Sequence, residues 1–153
     1  MDKVNQEKFL KIIDATPLVS IDLIIENPCG EILLGKRLNR PAQNFWFVPG
    51  GRIKKNEKIA DAMLRISLAE LGHSIAIKNT SLLGAYNHIY HDNAFDEAEI
   101  NTHYVVLAYK IKQFSKKDLI VDAQHSALKY WPVEELLAAD NVHENTKAYF
   151  IDH

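Results

Sequence analysis

Glu70 is an acid set among apolar residues at helical spacing. At 100° per residue, Ile59, Met63 and Ile66 share one narrow stripe of the segment 57–71, and Glu70 projects into its middle. Ala60, Leu64, Leu68 and Leu71 widen the apolar arc, while Lys58, Asp61 and Arg65 take the opposite side. A carboxylate inside an apolar face is costly unless a cation or hydrogen-bond donors meet it. The last turn of a helix also disfavours negative charge. Two readings follow. The acid marks the edge of the buried face and reaches solvent, or it ligates a hard divalent cation, which prefers oxygen and offsets the cost of burial. Just upstream, Gly50 and Gly51 in the run Pro49-Gly50-Gly51-Arg52 let the backbone turn tightly and present carbonyls at close range, though such a turn serves equally as plain structure. Arg37 and Arg52 flank that turn. A planar guanidinium grips two oxygens of a diphosphate at once, whereas a lone arginine also reads as half of a surface ion pair.

Other chemistry is thinner. His125 lies in DAQHSALKYW, a loop-like stretch; an imidazole titrating near pH ~6.5 accepts a proton at neutrality, but a single loop histidine is also an ordinary surface residue. His88 and His103 fall in strand-like segments, as half-buried hydrogen-bonding residues. Asp22 interrupts an apolar strand and shares a strand face with Ser20, so it meets a ligand hydroxyl or an arginine. Tyr104 reads as strand packing or as a donor to a ligand. Phe9 belongs to the core or stacks on a ring.

These residues need elements to position them. The spacing of Phe9, Ile12 and Ile13 predicts a short amphipathic helix over 5–14. LVSIDLII (18–25) and EILLGKR (31–37), joined by ENPCG, read as a hairpin; NFWFV (44–48) is a further strand running into the glycines. A helix follows over 57–71, with Asn56 as N-cap candidate and Gly72 as its stop. Strands are expected at 81–90 and 102–111, separated by the acidic loop HDNAFDEAEIN, which reads as a solvated, mobile edge or a lid. LKYW (128–131) is a short strand, Pro132 opens a helix through Ala139, and a last helix covers 144–151. The order lacks a strict βαβ rhythm, so the fold class is α/β (α+β), a mixed sheet between helices, in one domain over 1–153.

Composition is that of an ordinary soluble domain, with 47% hydrophobic and 25% charged residues and a single cysteine, Cys29, that has no intramolecular partner. A net charge of −2 gives no basic excess, so no nucleic-acid partner is expected. No apolar run reaches signal-peptide or membrane-span length, so a cytoplasmic protein with no membrane partner is expected.

The stretch from Gly51 to Gly72 resembles the Nudix box, with Gly51, Glu57, Arg65, Glu70 and Gly72 at the matching places. Ile66 and Ala69 stand where the box carries glutamates, and His73 where it carries an aliphatic residue. Those losses, with TPLVSIDLIIEN (16–27), LLGKRLNRPAQNFWFVPGGR (33–52), THYVVLAYK (102–110) and LAADNVHENTKAYF (137–150), resemble the Nudix branch of GDP-mannose mannosyl hydrolases along nearly the whole chain. The resemblance implies a Nudix fold and hydrolysis of GDP-mannose, with GDP-glucose not separable from it, by water attack at the sugar C1 with inversion. It implies one Mg²⁺ per subunit, with Mn²⁺ as a substitute, held by the Gly50 carbonyl, Glu70 and Gln124. It further implies His125 as general base, Arg37 and Arg52 on the leaving diphosphate, Tyr104 hydrogen-bonding that diphosphate, and a homodimer; Asp22, His88 and Phe9 are added as substrate contacts from their own positions, Phe9 as a ring that stacks on the guanine. Arg65, on the helix side away from Glu70, is read as structural. Two alternatives remain open: conventional Nudix cleavage at phosphorus, and a nucleotide-sugar sensor without turnover.

Overall fold

The computed structural model describes residues 3–112 and 125–151. A helix, α1 (Lys3–Ala15), leads into β1 (Leu18–Glu26), β2 (Ile32–Arg37), β3 (Trp46–Phe47) and β4 (Gly50–Arg52). Then come α2 (Ile59–Leu71), the long strands β5 (Ser81–Tyr90) and β6 (Thr102–Lys112), β7 (His125–Trp131), α3 (Val133–Ala138), α4 (Glu144–Lys147) and a 3-10 turn over Ala148–Phe150. The seven strands form one mixed sheet in the order β3-β2-β1-β6-β5, with β4 added to β1 and β7 to β2. At its centre β1 and β6 run parallel, Leu18 against Tyr104 through to Glu26 against Lys112; the other pairings are antiparallel.

The alternation of β1 explains the two layers around this sheet. Ile21, Leu23 and Ile25 point to one face, where Ala62, Met63, Ile66 and Leu71 of α2 cover them. Ile24 points to the other, where it packs with Val48, Ala108, Trp131, Leu136, Val142 and Tyr149. Ser20 and Asp22 share the face of Ile24 but lie beyond that core, and this is where a polar pocket opens.

Local details depart from expectation for physical reasons. The segment 44–48 is a regular strand only at Trp46–Phe47: Asn44, at a positive φ of 73°, and Phe45 bond Arg37 where the chain turns into the strand, and the Val48 N–H goes to the Thr146 hydroxyl. The β1–β2 hairpin pairs only at Glu26 against Ile32, because β4 occupies the edge of β1 further along. Helix α2 starts at Ile59 with Lys58 as N-cap, not Asn56, which stands in a turn with φ of 67°. Gly72 does end it, at φ 79° with its N–H on the Leu68 carbonyl. The last helix breaks into α4 and the 3-10 turn, and β7 begins at His125 because it pairs with β2 well before Leu128.

Candidate active site

The pocket, about 320 Å³, gathers residues spread between Phe9 and Val106. Its floor is the sheet face bearing Ser20 and Asp22 of β1, Tyr104 and Val106 of β6, and His88 and Tyr90 of β5. Arg37, the 39–41 loop and Phe47 form one wall; Gly50, Gly51 and Arg52 form another, with Phe9 and Ala94 at the rim. Asp22, Arg37, Arg52, Tyr104, His88, Phe9 and Gly50 are thereby brought together.

The glycines are required by packing. In the β1–β4 ladder Asp22 stands opposite Gly50, at one of the closely spaced, non-bonded positions, since the Leu23 N–H meets the Pro49 carbonyl and the Ile53 N–H meets Val19. A Cβ on Gly50 would collide with Asp22 Oδ1 and would sit 2.5 Å from the Ile21 carbonyl oxygen. A Cβ on Gly51 would point the other way, 3.0 Å from Ile66 Cγ1 on α2. The same alternation turns the Gly50 and Arg52 carbonyls away from β1. The Arg52 carbonyl accepts from Arg65 of α2 at 2.8 Å, so α2 runs along the edge that carries both carbonyls.

Glu70 is 4% exposed, so the edge-of-face reading is overturned. Periodicity places Met63, Ile66 and Leu71 correctly beside it, but Ile59, Leu64 and Leu68 are exposed, and the buried face is Ala62, Met63, Ile66, Ser67, Glu70 and Leu71. Glu70 belongs to the α2 side of the sheet and is not part of the pocket wall. Among the described residues no three His, Cys, Asp or Glu converge as a metal cage. Glu70 is a buried carboxylate on α2, the helix that runs along the strand edge carrying the Gly50 carbonyl, and oxygen donors of this kind would suit a hard ion that keeps most of its water. Gln124 lies outside the described residues. So does the side chain of His125, whose backbone stands in register with Arg37 at the start of β7, in a strand and not in a loop.

The arginines are held in place. Arg37 donates through Nε to the Pro41 carbonyl at 3.0 Å and lies over the Phe47 ring, 5.8 Å from its centroid. Arg52 lies over Phe9, 4.4 Å away, so that face of Phe9 stacks on a guanidinium and not on a base; the ring also meets Phe95 edge-on. Arg65 is structural, as read: it binds Glu57 at 2.7 Å, and this pairing pulls the Glu57 carboxyl down to about 2.

Three residues that sequence reasoning missed complete the polar system. Arg40 lines the pocket and bridges Asp92 and Asp96 at 3.2 and 3.3 Å. The acidic loop it touches is knit together by the buried Asn93, whose amide donates to the Glu97 and Ile100 carbonyls, while Asp96, Glu97 and Glu99 are exposed as a solvated edge requires. Tyr90 lines the floor, its phenol pushed upward by burial. Tyr149 donates to Asp22 Oδ2 at 2.6 Å and lies 3.2 Å from His88 Nε2. Burial pushes Asp22 up to about 7 against the opposing pull of Tyr149 and Arg37; it pushes His88 down to about 4, helped by His143, so the imidazole is neutral at pH 7. Burial also raises Tyr104, against the pull of Arg37 and Arg52.

A domain model described as NUDIX domain matches residues 16–153. The chain belongs to the Nudix hydrolase family. Among its relatives, the low-salt glycan biosynthesis protein Agl8 of Haloferax volcanii is 39% identical over 127 residues, 83% of this chain and 78% of that protein. An ADP-ribose pyrophosphatase of Methanocaldococcus jannaschii is 38% identical over 71 residues, 46% of this chain and 40% of that protein. The crystal structure of a MutT Nudix hydrolase from Burkholderia pseudomallei superposes with a TM-score of 0.70 at 28% identity, covering 88% of this chain and 95% of the other. The mixed sheet with flanking helices is therefore the Nudix fold. Within its box, Glu57 and Arg65 staple the glycine turn to the helix, Gly51 makes room for Ile66, and Gly72 ends the helix. Among the described residues, no helix of this Nudix chain is long and apolar enough to cross a membrane.

Proposed function

We propose that this Nudix hydrolase is a magnesium-dependent GDP-mannose mannosyl hydrolase, releasing GDP and free sugar from GDP-mannose or a related GDP-sugar, and working in the cytoplasm as a homodimer. The observation that carries the reading is a pocket with two unequal halves. Arg37 and Arg40 on one wall and Arg52 on the other make the walls cationic, as a diphosphate requires, while Asp22 and a neutral His88 make the floor a hydrogen-bonding surface, as a sugar requires. A relative named for glycan biosynthesis supports an activated sugar as substrate, because glycan assembly consumes such donors.

In this reading Arg37 and Arg52 bind the diphosphate oxygens and take up the charge that GDP gains as the glycosyl bond breaks. Asp22 and His88 hold the sugar, Tyr104 hydrogen-bonds the diphosphate beside those arginines, and Phe9 keeps Arg52 in place through its ring face. His125, beside Arg37 in backbone register, removes a proton from the water that attacks C1 from the side opposite GDP, giving inversion. A divalent ion held by the Gly50 carbonyl, Glu70 and Gln124 supplies Lewis acidity to the leaving diphosphate when bound.

A second reading, attack at phosphorus, is favoured by the similarity to an ADP-ribose pyrophosphatase over part of the chain. Incubation with GDP-mannose and Mg²⁺ in ¹⁸O-labelled water separates the two. Label in the free sugar supports the glycosyl hydrolase. Label in GMP or a sugar phosphate refutes it.

A further inference from the structure

Asp22 and His88 both face the pocket, yet they stand on strands that do not touch. Strand β6 lies between β1 and β5. Two strand spacings are roughly 9.5 Å, too far for a carboxylate and an imidazole to order one another directly. The gap is crossed by Tyr149, which comes from the 3-10 turn on the layer above. Its ring packs in the core with Ile24 and Ala108 and meets Tyr86 edge-on at 4.8 Å. Ala108, opposite Asp22 in the β1–β6 register, is small enough to leave the phenol its path. Only 8% of Tyr149 is exposed, and it is not among the pocket-lining residues.

The direction of the bonds follows from donor counting. When Asp22 is ionised it has no hydrogen of its own, and the single hydrogen of the phenol goes to Asp22 Oδ2. The neutral His88 ring has one N–H, and contact with the phenol oxygen requires it on Nε2, leaving Nδ1 as an acceptor. The bond on Oδ2 also sets the carboxylate rotamer, with Oδ1 turned to the space beside Gly50.

We infer that Tyr149 is a positioning residue of this pocket: its hydroxyl bridges Asp22 and His88 across β6, fixing the carboxylate rotamer and the imidazole tautomer that meet the hydroxyls of the bound sugar. The bridge stands on geometry alone; what it presents to the ligand rests on the GDP-sugar reading above. Asp22 and His88 therefore act as one recognition element, and its precision is set by a residue the ligand never touches.

Tyr149→Phe keeps the ring and its packing and removes only the hydroxyl. Losing a buried hydrogen bond to a carboxylate corresponds to a roughly tenfold to hundredfold effect. That loss is expected in kcat/KM for GDP-mannose, while GDP, which lacks the sugar, inhibits the variant within about twofold of the parent. In an Asp22→Asn background the same change is expected to cost less than about threefold, because the group it orients is already altered. Parent-like kcat/KM, an equal loss of GDP affinity, or full additivity with Asp22→Asn would each overturn the inference. A thermal melt confirms that each variant is folded. Long-range ¹H–¹⁵N NMR of the His88 ring tests the bridge even if no GDP-sugar is hydrolysed. An Nε2–H tautomer in the parent that becomes mixed in Tyr149→Phe supports it, and an Nδ1–H tautomer in the parent refutes it.

Discussion

Adjacent glycines with opposite neighbours allow a sharp test of how the glycine strand is built. Neither Gly50 nor Gly51 has a left-handed φ, so an alanine at either position meets only steric resistance. At Gly50 the new methyl would sit 2.5 Å from the Ile21 carbonyl oxygen and would collide with Asp22 Oδ1. Ordinary C···O contacts are roughly 3.3 Å or more, so a paired backbone must move by almost an ångström. Overpacking of this kind costs about 1–3 kcal/mol, and with a fixed backbone on one side we expect the upper end, about 3. At Gly51 the methyl would lie 3.0 and 3.2 Å from Ile66 Cγ1 and Cγ2, a conflict of a few tenths of an ångström with a stiff β-branched side chain. We expect about 1 kcal/mol there, largely offset by the ~0.4–1 kcal/mol gained from a less flexible unfolded chain. Urea titration with linear extrapolation reads both values. The Gly51→Ala penalty should vanish or reverse in an Ile66→Ala background, where its methyl fills new space, and the Gly50→Ala penalty should persist there. Gly50→Ala should also lower kcat/KM, because it displaces Asp22. The reasoning fails if Gly51→Ala proves the worse of the two, or if Ile66→Ala relieves neither or both alike.

Asp22 titrates at about 7 in the folded chain against 3.8 ordinarily, so its protonated form is the stabilising one. That contribution is complete below pH 3.8 and is lost as pH rises through 7. Asp22→Asn, measured in EDTA, should therefore be more stable than the parent by about 2 kcal/mol at pH 8, after discounting for the open pocket, and nearly equal at pH 4, while hydrolysing GDP-mannose poorly; a pH-independent difference in the melts would refute the assignment. Glu70→Gln should raise the Mg²⁺ concentration for half-maximal activity by roughly tenfold or more, and an unchanged Mg²⁺ titration would remove Glu70 from the metal site. His125→Ala should depress turnover most near neutrality and recover in part at high pH, where hydroxide replaces the base; a rate profile parallel to the parent at every pH would send the search for the base elsewhere.

The residues most legible in the sequence are those whose surroundings are local. The place of Glu70 on the apolar stripe follows from its spacing on one helix, which leaves its burial open, and the stop at Gly72 follows from the conformation a helix end demands. Asp22 stands out because it alternates with core residues along its own strand. What could not be read comes from pairings between distant parts. β7 begins at His125 only because β2 offers it an edge. Which hydrophobic residues share the Glu70 face depends on where α2 meets β1 and β4, and this leaves Leu68 54% exposed. Tyr149 bonds a residue 127 positions away, with nothing in its neighbours to announce it. The loop 91–101 reads as a run of charge, but it is also tied internally by an uncharged amide, Asn93, beside the ion pairs that Arg40 makes with Asp92 and Asp96.

The parallel pairing of β1 with β6 also governs when a ligand site comes into being. Leu18 meets Tyr104 only after most of the intervening chain has been drawn into a closed loop, an entropic cost that local contacts do not repay. No autonomous fragment containing β1 alone holds the floor of the pocket, so molecules that open at the sheet centre lose their ligand altogether. Occupancy then acts on the slowest, most global opening of the protein: central amides of β1 and β6 should exchange with solvent at rates that fall in proportion to bound nucleotide, while α1 and the exposed edge of β5 exchange as before.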